Sequence, residues 1–507
     1  MALPTNSHLL QSFGLAGSTL IAIWIVHTTA RIIYNIFLHP LRSFPGPKSW
    51  AATALPAVFA QVRGTEVYDV LKLHELYGPV VRTAPNELSY ANSIVYKDVF
   101  SHRQGHAEFG KSSRTVVTPP NGVHGILTAN RADHSRFRRA FSASFSDRGM
   151  QRQQPLITRY VDLFIQGLKS KSAEGPQDLV AWFNWTTFDI IGALTFGEDF
   201  GCLKLAKMHP WISATFGSVK GNALMAAVRR LGLGAIIPYI VPKKSVDLRL
   251  ANSRFSADRI KSRMELGTDL GDFMDPVLEK HVGEKEGSLH LTFDELASIG
   301  SNLVMAGSET TATLLSGAVF HLLKNPVALE KTVEEIRRSF DSADEIDLMS
   351  TTKLHYMLAV LNETMRIFNP VPAQSTRESP PGGDTIDGKF VPEKTVIYAA
   401  QYVTTHLSEN FTKPNGFYPE RFLQSDGQSD SEFKNDNFAV FQPFSVGPRN
   451  CIGKNLAYAE MRIILARLLF DFDLELDERS RSWTRGMKAF VLWEKPSLWV
   501  KLTARGV

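Results

Sequence analysis

The sequence predicts a mainly α fold with a small β portion, in a single large domain behind an N-terminal transmembrane helix. Three observations predict it. Stretches with helical patterning, chiefly 292–324 and 452–470, dominate the chain, whereas strand-like pieces such as VVRTAP and KFVPEKTVIYA are short and clustered. Residues 1–30 contain no Asp, Glu, Lys or Arg. No period of roughly 20–50 residues repeats and no Gly/Ser-rich linker divides the interior, which excludes solenoids and propellers. Composition narrows the function classes. With 44% hydrophobic and 21% charged residues in 507, the chain is neither disordered, collagen-like nor a coiled coil. A net charge of +5, from 56 basic against 51 acidic residues, is too dilute to imply nucleic acid. The 2 cysteines, Cys202 and Cys451, stand too far apart in sequence for a zinc ribbon and are too few for a disulfide scaffold.

The elements follow in order. Residues 1–30 read as a membrane anchor, with a helix over about 9–30, because residues 9–26 give 18 uncharged positions centred on LIAIWIV. A cleaved signal peptide would carry a basic start, a shorter apolar stretch and an A-x-A-like site, and this segment has none of these clearly. The first charges after it, Arg31, Arg42 and Lys48, are all positive, with no acid before Glu66. That bias puts the C-terminal bulk in the cytosol. Residues 31–48 read as a basic, Pro-rich hinge, since Pro40 and Phe44-Pro45-Gly46-Pro47 cannot continue a helix. Residues 49–507 are then the main domain. Within it, 231–241 (LGLGAIIPYIV) is apolar but too short to cross a bilayer, and is flanked by Arg229, Arg230, Lys243 and Lys244. It reads equally as an interfacial dip or as a buried core segment.

The most specific stretch is FSVGPRNCIG, which spaces Phe444, Gly447, Arg449, Cys451 and Gly453 as Phe-x-x-Gly-x-Arg-x-Cys-x-Gly. Ordinary residue frequencies give this pattern a chance on the order of 10⁻⁴ in a chain this long. The residues after it read as a helix, so Cys451 sits just before a helix N-terminus, where backbone N–H groups and the macrodipole favour a thiolate. A lone thiolate of this kind suits a haem axial ligand, a ligation that favours O–O cleavage. The bland alternative, a buried apolar filler, does not account for the surrounding spacing. A third alternative, a cysteine hydrolase with a histidine base, predicts no haem spectrum.

With this motif the chain resembles the cytochrome P450 family of haem-thiolate monooxygenases, and other regions agree in order. On the helix that opens with the capping box Thr292-x-x-Glu295, the run Ala306-Gly307-Ser308-Glu309-Thr310-Thr311 matches the family's acid-alcohol segment. A Thr hydroxyl bonding back one turn opens a groove for oxygen, and a hydroxyl beside a carboxylate relays protons from water, so Thr310 and Glu309 are the catalytic candidates. Glu363 and Arg366 match Glu-x-x-Arg on one helix face. By resemblance they join Arg421, from Tyr418-Pro419-Glu420-Arg421-Phe422, in a buried ion network that holds the cysteine loop. RADHSRFRRAF puts His134 and Arg138 at i,i+4, matching the family's aromatic-x-x-x-Arg site for haem propionates. The resemblance implies Arg377 and Arg449 as the further clamps. Arg136 and Arg139 leave that face, either as solvated surface residues or as contacts for an acidic reductase.

The likeness runs from FLHPLRSFPGP to LWEKP and is closest to filamentous-fungal oxidases of secondary metabolism, whose substrates include terpenoids, polyketides and alkaloids. Two departures stand out. Gln374 and Ser375 occupy places usually apolar, which implies a polar group on the substrate if they roof the pocket, and Asn369 replaces a usual proline as a local turn change. The resemblance implies a monooxygenase of the endoplasmic reticulum membrane, single-pass and facing the cytosol. It would bind thiolate-ligated haem, use O2 and electrons from an NADPH-cytochrome reductase, with room for cytochrome b5 as a second donor, and hydroxylate or epoxidise an apolar small molecule. The rivals are a haem-thiolate isomerase or dehydratase that does not use O2, and a non-catalytic haem carrier. Both fit poorly with retention of Glu309 and Thr310.

Overall fold

The computed structural model describes residues 6–116, 118–119, 121–281, 289–373, 376–423 and 432–506; Gln374 and Ser375 lie outside them. It is mainly helical with small sheets, as the patterning predicts. Helix α1, Asn6–Ile33, carries the uncharged N-terminus, and its apolar side chains from Leu15 to Val26 are exposed. Segment Gly17–Leu38 is long and apolar enough to cross a membrane. The helical backbone runs on through a π-turn at Tyr34–Leu38 and a 3-10 turn at Pro40–Ser43, so the expected start of the hinge at 31 falls inside α1.

The Pro-rich segment then packs down instead of standing free. Leu41 and Phe44 are buried in a cluster with Leu88, Tyr90 and Ile397, and Arg82 donates its backbone N–H to Pro45 O at 2.7 Å. Gly46, at φ +152°, lets this happen: a Cβ there would sit 2.6 Å from Arg82 O. Helices α2 (Leu55–Arg63) and α3 (Glu66–Tyr77) follow.

The main sheet combines β1 (Val80–Ala84), β2 (Glu87–Tyr90), β3 (Gly110–Lys111), β4 (Arg377–Glu378) and β5 (Val396–Tyr398), in the order β1-β2-β5-β4-β3. The predicted strand pieces become β1, β5 and the short strand Lys389–Val391. All pairs are antiparallel except β2 with β5, where Glu87 lies opposite Val396. The register of β3 on β4 sets Lys111 opposite Arg377.

The helical body comprises α4 (Arg131–Phe141), α5 (Asp147–Lys171), α6 (Leu179–Phe196), α7 (Pro210–Arg230), α8 (Lys243–Glu265), α9 (Phe293–Lys324), α10 (Pro326–Ser339), α11 (His355–Ile367) and α12 (Lys454–Asp471). The two long patterned stretches are α9 and α12, within two residues at each end. α9 opens with the capping box: Thr292 Oγ1 accepts the Glu295 N–H at 3.3 Å, and Glu295 Oε2 accepts the Thr292 N–H at 2.9 Å. Although α9 is apolar and long enough to span a bilayer, 78% of its most apolar window is buried, so it is the core helix. It packs closely on α6, where a Cβ at Gly307 would meet Ile191 Cδ1 at 2.8 Å.

Of the two readings of 231–241, the buried core segment is not what the structure holds. Short helical turns at Gly234–Ile236 and Ile237–Ile240 leave Leu233, Ile236, Tyr239 and Ile240 exposed, Tyr239 at 89%. Exposed Leu55, Phe59 and Val62 stand on α2, which packs against α7, the helix leading into this segment. Behind them is a buried charge cluster. Arg230, at the end of α7, ion-pairs with Glu66 at 2.6 Å and Glu87 at 2.5 Å, and Arg114 also pairs with Glu87.

Candidate active site

The cysteine loop is built by turns that need its glycine. Gly447 adopts φ +74° and opens a 3-10 turn, Gly447–Arg449, pressed so close to Phe100 O that a Cβ would overlap it. Cys451 then donates its N–H to Phe444 O at 2.9 Å, and its sulfur accepts from the Gly453 N–H just before α12. Phe444 is half-buried against Tyr458, with ring centroids 5.3 Å apart.

Cys451 is exposed, yet burial pushes its thiol upward. Both hold if the sulfur opens onto solvent-sized space enclosed within the fold. The helix N-terminus, Gly453 N–H and the charges of Arg138 and Lys454 favour a thiolate, as the sequence suggests, but desolvation outweighs them in the unligated side chain. The charged side chains that act on the thiol are Arg138 and Lys454. Among the described residues no group of three or more His, Cys, Asp or Glu could hold a metal, so a metal here would come with its own ligands.

On α9, Ala306 is exposed in mid-helix and Thr310 partly so, between turns that are otherwise buried. Thr310 Oγ1 donates to Ala306 O at 2.7 Å, the back-bond expected from the sequence. Glu309, one residue earlier, turns away. It is buried, pairs with Lys495 from the C-terminal loop, and lies 3.5 Å from Thr313 Oγ1. The carboxylate and hydroxyl that the sequence sets side by side thus have separate partners.

Cations gather at one edge. Arg138 donates to Asn450 O at 2.5 Å and to Asn450 Oδ1, bracing the residue before Cys451. Arg449 donates to Glu108 at 2.6 Å and to Ala129 O at 3.1 Å. Arg377 lies 4.9 Å over the Phe100 ring. His134 is buried, and desolvation with Arg449, Lys111 and Arg138 nearby pushes it down to about 4. Lys111, which the sequence reading missed, is pushed down to about 7 by burial and by Arg377 and Arg449, and Arg377 itself to about 10. Like charges opposite one another in a ladder are destabilising, and these depress one another with Glu108 as the carboxylate paired to Arg449, so a further anion bound there would be favoured. Two haem carboxylates meet that need. The residues therefore fit a thiolate-ligated haem: an exposed but desolvated sulfur, cations for the propionates, and a core helix whose Thr310 bonds back to Ala306 O.

The ion network closes around Glu363. Arg366 donates to its two oxygens at 2.7 and 2.8 Å, Arg421 Nε lies 3.0 Å from Oε2, and the Tyr418 N–H bonds Oε1 at 2.8 Å. Asp436, not singled out from sequence, completes it by pairing with Arg421. All four side chains are fully buried. Arg136 is not a free surface cation: it pairs with Glu295 and Asp133 and donates to His290 O at 2.6 Å, so only Arg139 stays exposed. Asn369 makes the expected local turn, with Oδ1 accepting the Val371 N–H at 2.9 Å. Glu460 on α12 is a further buried acid, raised to about 8 by desolvation and hydrogen-bonded to Thr311.

Comparison with known proteins identifies the family. The family model for cytochrome P450 matches residues 45–500. An averantin hydroxylase from Dothistroma septosporum is 45% identical over 503 residues, covering 99% of this chain and 93% of its own. A versicolorin B desaturase from the same fungus is 40% identical over 498 residues, covering 98% and 94%. A cytochrome P450 monooxygenase from Talaromyces stipitatus is 40% identical over 497 residues, covering 95% and 94%. With its cysteine loop, its cation cluster and these fungal oxidoreductases as relatives, the chain belongs to the cytochrome P450 family, which binds haem through a cysteine thiolate.

Proposed function

We propose that this protein is a membrane-anchored monooxygenase that hydroxylates or desaturates an apolar polyketide intermediate of fungal secondary metabolism, using O2 and electrons from an NADPH-dependent reductase. The observation that carries it is the exposed but desolvated Cys451 sulfur at the start of α12, with Arg138, which braces the preceding residue, belonging to a cluster of mutually repelling cations. The substrate class rests on the relatives named for averantin and versicolorin B. Bound haem supplies the oxidising chemistry.

The chain's own residues hold and guide it. Cys451 provides the thiolate, kept in place by the Gly453 N–H and by Arg138 through Asn450. His134, Arg138, Arg377, Arg449 and Lys111 would hold the propionates, and a negative charge there would favour the protonated forms of His134 and Lys111. Thr310, released from Ala306 O, presents its hydroxyl to the reacting oxygen, and Glu309 supplies protons by way of water. Glu363, Arg366 and Arg421 fix the segment that carries the cysteine loop. Helix α1 anchors the domain in the endoplasmic reticulum membrane with its body in the cytosol, and the exposed apolar turns at 231–241 with α2 rest on the same surface.

The test is the reduced carbon-monoxide difference spectrum of the protein in membranes beside Cys451→Ala, followed by turnover with reductase, NADPH and averantin or versicolorin B as probes. A thiolate-haem band lost in the variant, with a product gaining one oxygen or losing two hydrogens, is the expected result. A band that persists in Cys451→Ala overturns the ligand assignment. A band without conversion of either probe overturns the substrate class.

A further inference from the structure

Lys495 has only 3% of its side chain exposed, and its Nζ meets the Glu309 carboxylate and donates to Thr313 Oγ1 at 2.6 Å. It stands in the loop 495–498 between β6 (Trp493–Glu494) and β7 (Trp499–Ala504). That loop is held from several sides. Trp493 stacks on Phe368 at 5.2 Å and donates its Nε1–H to Asn369 O at 2.8 Å. Trp483 donates to Pro496 O at 2.9 Å, and the Leu498 N–H bonds the Asp178 carboxylate that caps α6 at 3.0 Å. The neighbouring Glu494 faces outward and pairs with Lys220 of α7 at 2.6 Å. One short segment therefore touches the outer helix α7 with one residue and the acid of the core helix α9 with the next.

We propose that Lys495 is a positioning residue for Glu309. It holds the carboxylate on the Thr313 side of α9 and so governs how readily Glu309 delivers protons toward Thr310; this rests on the proton-supplying reading of Glu309 given above. Neighbouring residues on a helix point about 100° apart, so a carboxylate held at Thr313 is directed away from the wall formed by Ala306 and Thr310. Without the ammonium, a buried carboxylate with one hydroxyl partner is uncompensated and is drawn to water. The ion pair holds the acid withdrawn, and a displacement of the loop, which α7 contacts through Glu494, would release it.

The haem-loaded full chain tests this with Lys495→Met, Glu309→Gln and the double variant, and Lys495→Arg as the conservative control. Lys495→Gln takes the place of Lys495→Met if the latter does not retain the carbon-monoxide band. Two readouts are taken: the unfolding temperature, and NADPH oxidation by reductase without added substrate, scored for its solvent deuterium isotope effect and the hydrogen peroxide formed per NADPH. The expected result is a lower unfolding temperature in Lys495→Met that is at least half recovered in the double variant. The isotope effect and peroxide yield change at least twofold in Lys495→Met and in Glu309→Gln and return in Lys495→Arg. Recovery absent from the double variant overturns the ion pair itself. Unchanged isotope effect and peroxide yield in Lys495→Met, with both changed in Glu309→Gln, overturns the role of Lys495 and keeps that of Glu309. If neither variant moves them, the proton-supplying reading of Glu309 fails first.

Discussion

Lys111 lies directly opposite Arg377 in the antiparallel pairing of two short strands, Lys111 half-buried and Arg377 buried, and the Arg377 charge helps push Lys111 down. Such a pair is tolerable in a stable protein only when something negative completes it. In the haem-free protein Lys111 titrates near 7 while the unfolded chain holds its proton to about 10.5. The unfolded state then binds more protons across that window, so stability rises with pH from about 7 upward, by at most about 1.4 kcal/mol per unit. Urea unfolding of haem-depleted protein at successive pH values should show this slope. Lys111→Met should flatten it while weakening haem retention in the loaded protein.

Removing Glu363 leaves Arg366 and Arg421 buried without their shared carboxylate, a loss of about 3–5 kcal/mol. Glu363→Ala should yield protein without a carbon-monoxide band. Asp436→Asn, which takes one partner from Arg421 alone, should retain the band but lower the unfolding temperature. A normal haem content in Glu363→Ala contradicts the network's role.

Glu460 carries the opposite pH signature to Lys111. Its folded pKa, raised by burial to about 8 from 4.5, keeps it protonated where the unfolded carboxyl has ionised. Stability is therefore lost as pH rises between 4.5 and 8, by about 1.4 kcal/mol per unit. Glu460→Gln keeps the shape and cannot ionise, so it should be the more stable protein at pH 7.5 and indistinguishable from the parent at pH 4.5 in chemical denaturation.

Glu87 is shared by Arg230 from the end of α7 and Arg114 from the segment before α4. Glu87→Gln should lower the unfolding temperature and speed proteolysis near residues 231–241. The double variant Glu87→Gln, Arg114→Met should recover part of the loss, because one of the two stranded guanidinium groups is gone.

What was legible from sequence depended on chain distance. The cysteine loop, the capping box of α9 and the Glu363–Arg366 pair are local spacings, so their residue types and intervals could be read along the string. Thr310's bond to Ala306 O was readable for the same reason: it spans one helical turn. Lys111 and Lys495 were not, because strand register and loop docking bring them to partners far away in the chain, Arg377 and Glu309, and Asp436 meets Arg421 across 15 positions that match no local spacing. Arg136 was misread because periodicity gives its face on α4 but not that Glu295, at the start of α9, packs against that face. The 231–241 run stayed ambiguous because an apolar string reads the same in a core and on a surface; only the backbone shows Tyr239 outside.

The docked Pro-rich segment has a practical bearing on how this enzyme can be cut. Leu41 and Phe44 belong to the sheet's own hydrophobic cluster, and Arg82 donates to Asn35 O at 2.9 Å as well as to Pro45 O. The apolar N-terminal helix is therefore not a leash from which the body hangs; the residues that follow it are docked on the sheet and set the direction in which it leaves. A soluble version trimmed at residue 31 keeps every one of these contacts. One trimmed at residue 48 strips the sheet of its cover and leaves Arg82 without two acceptors.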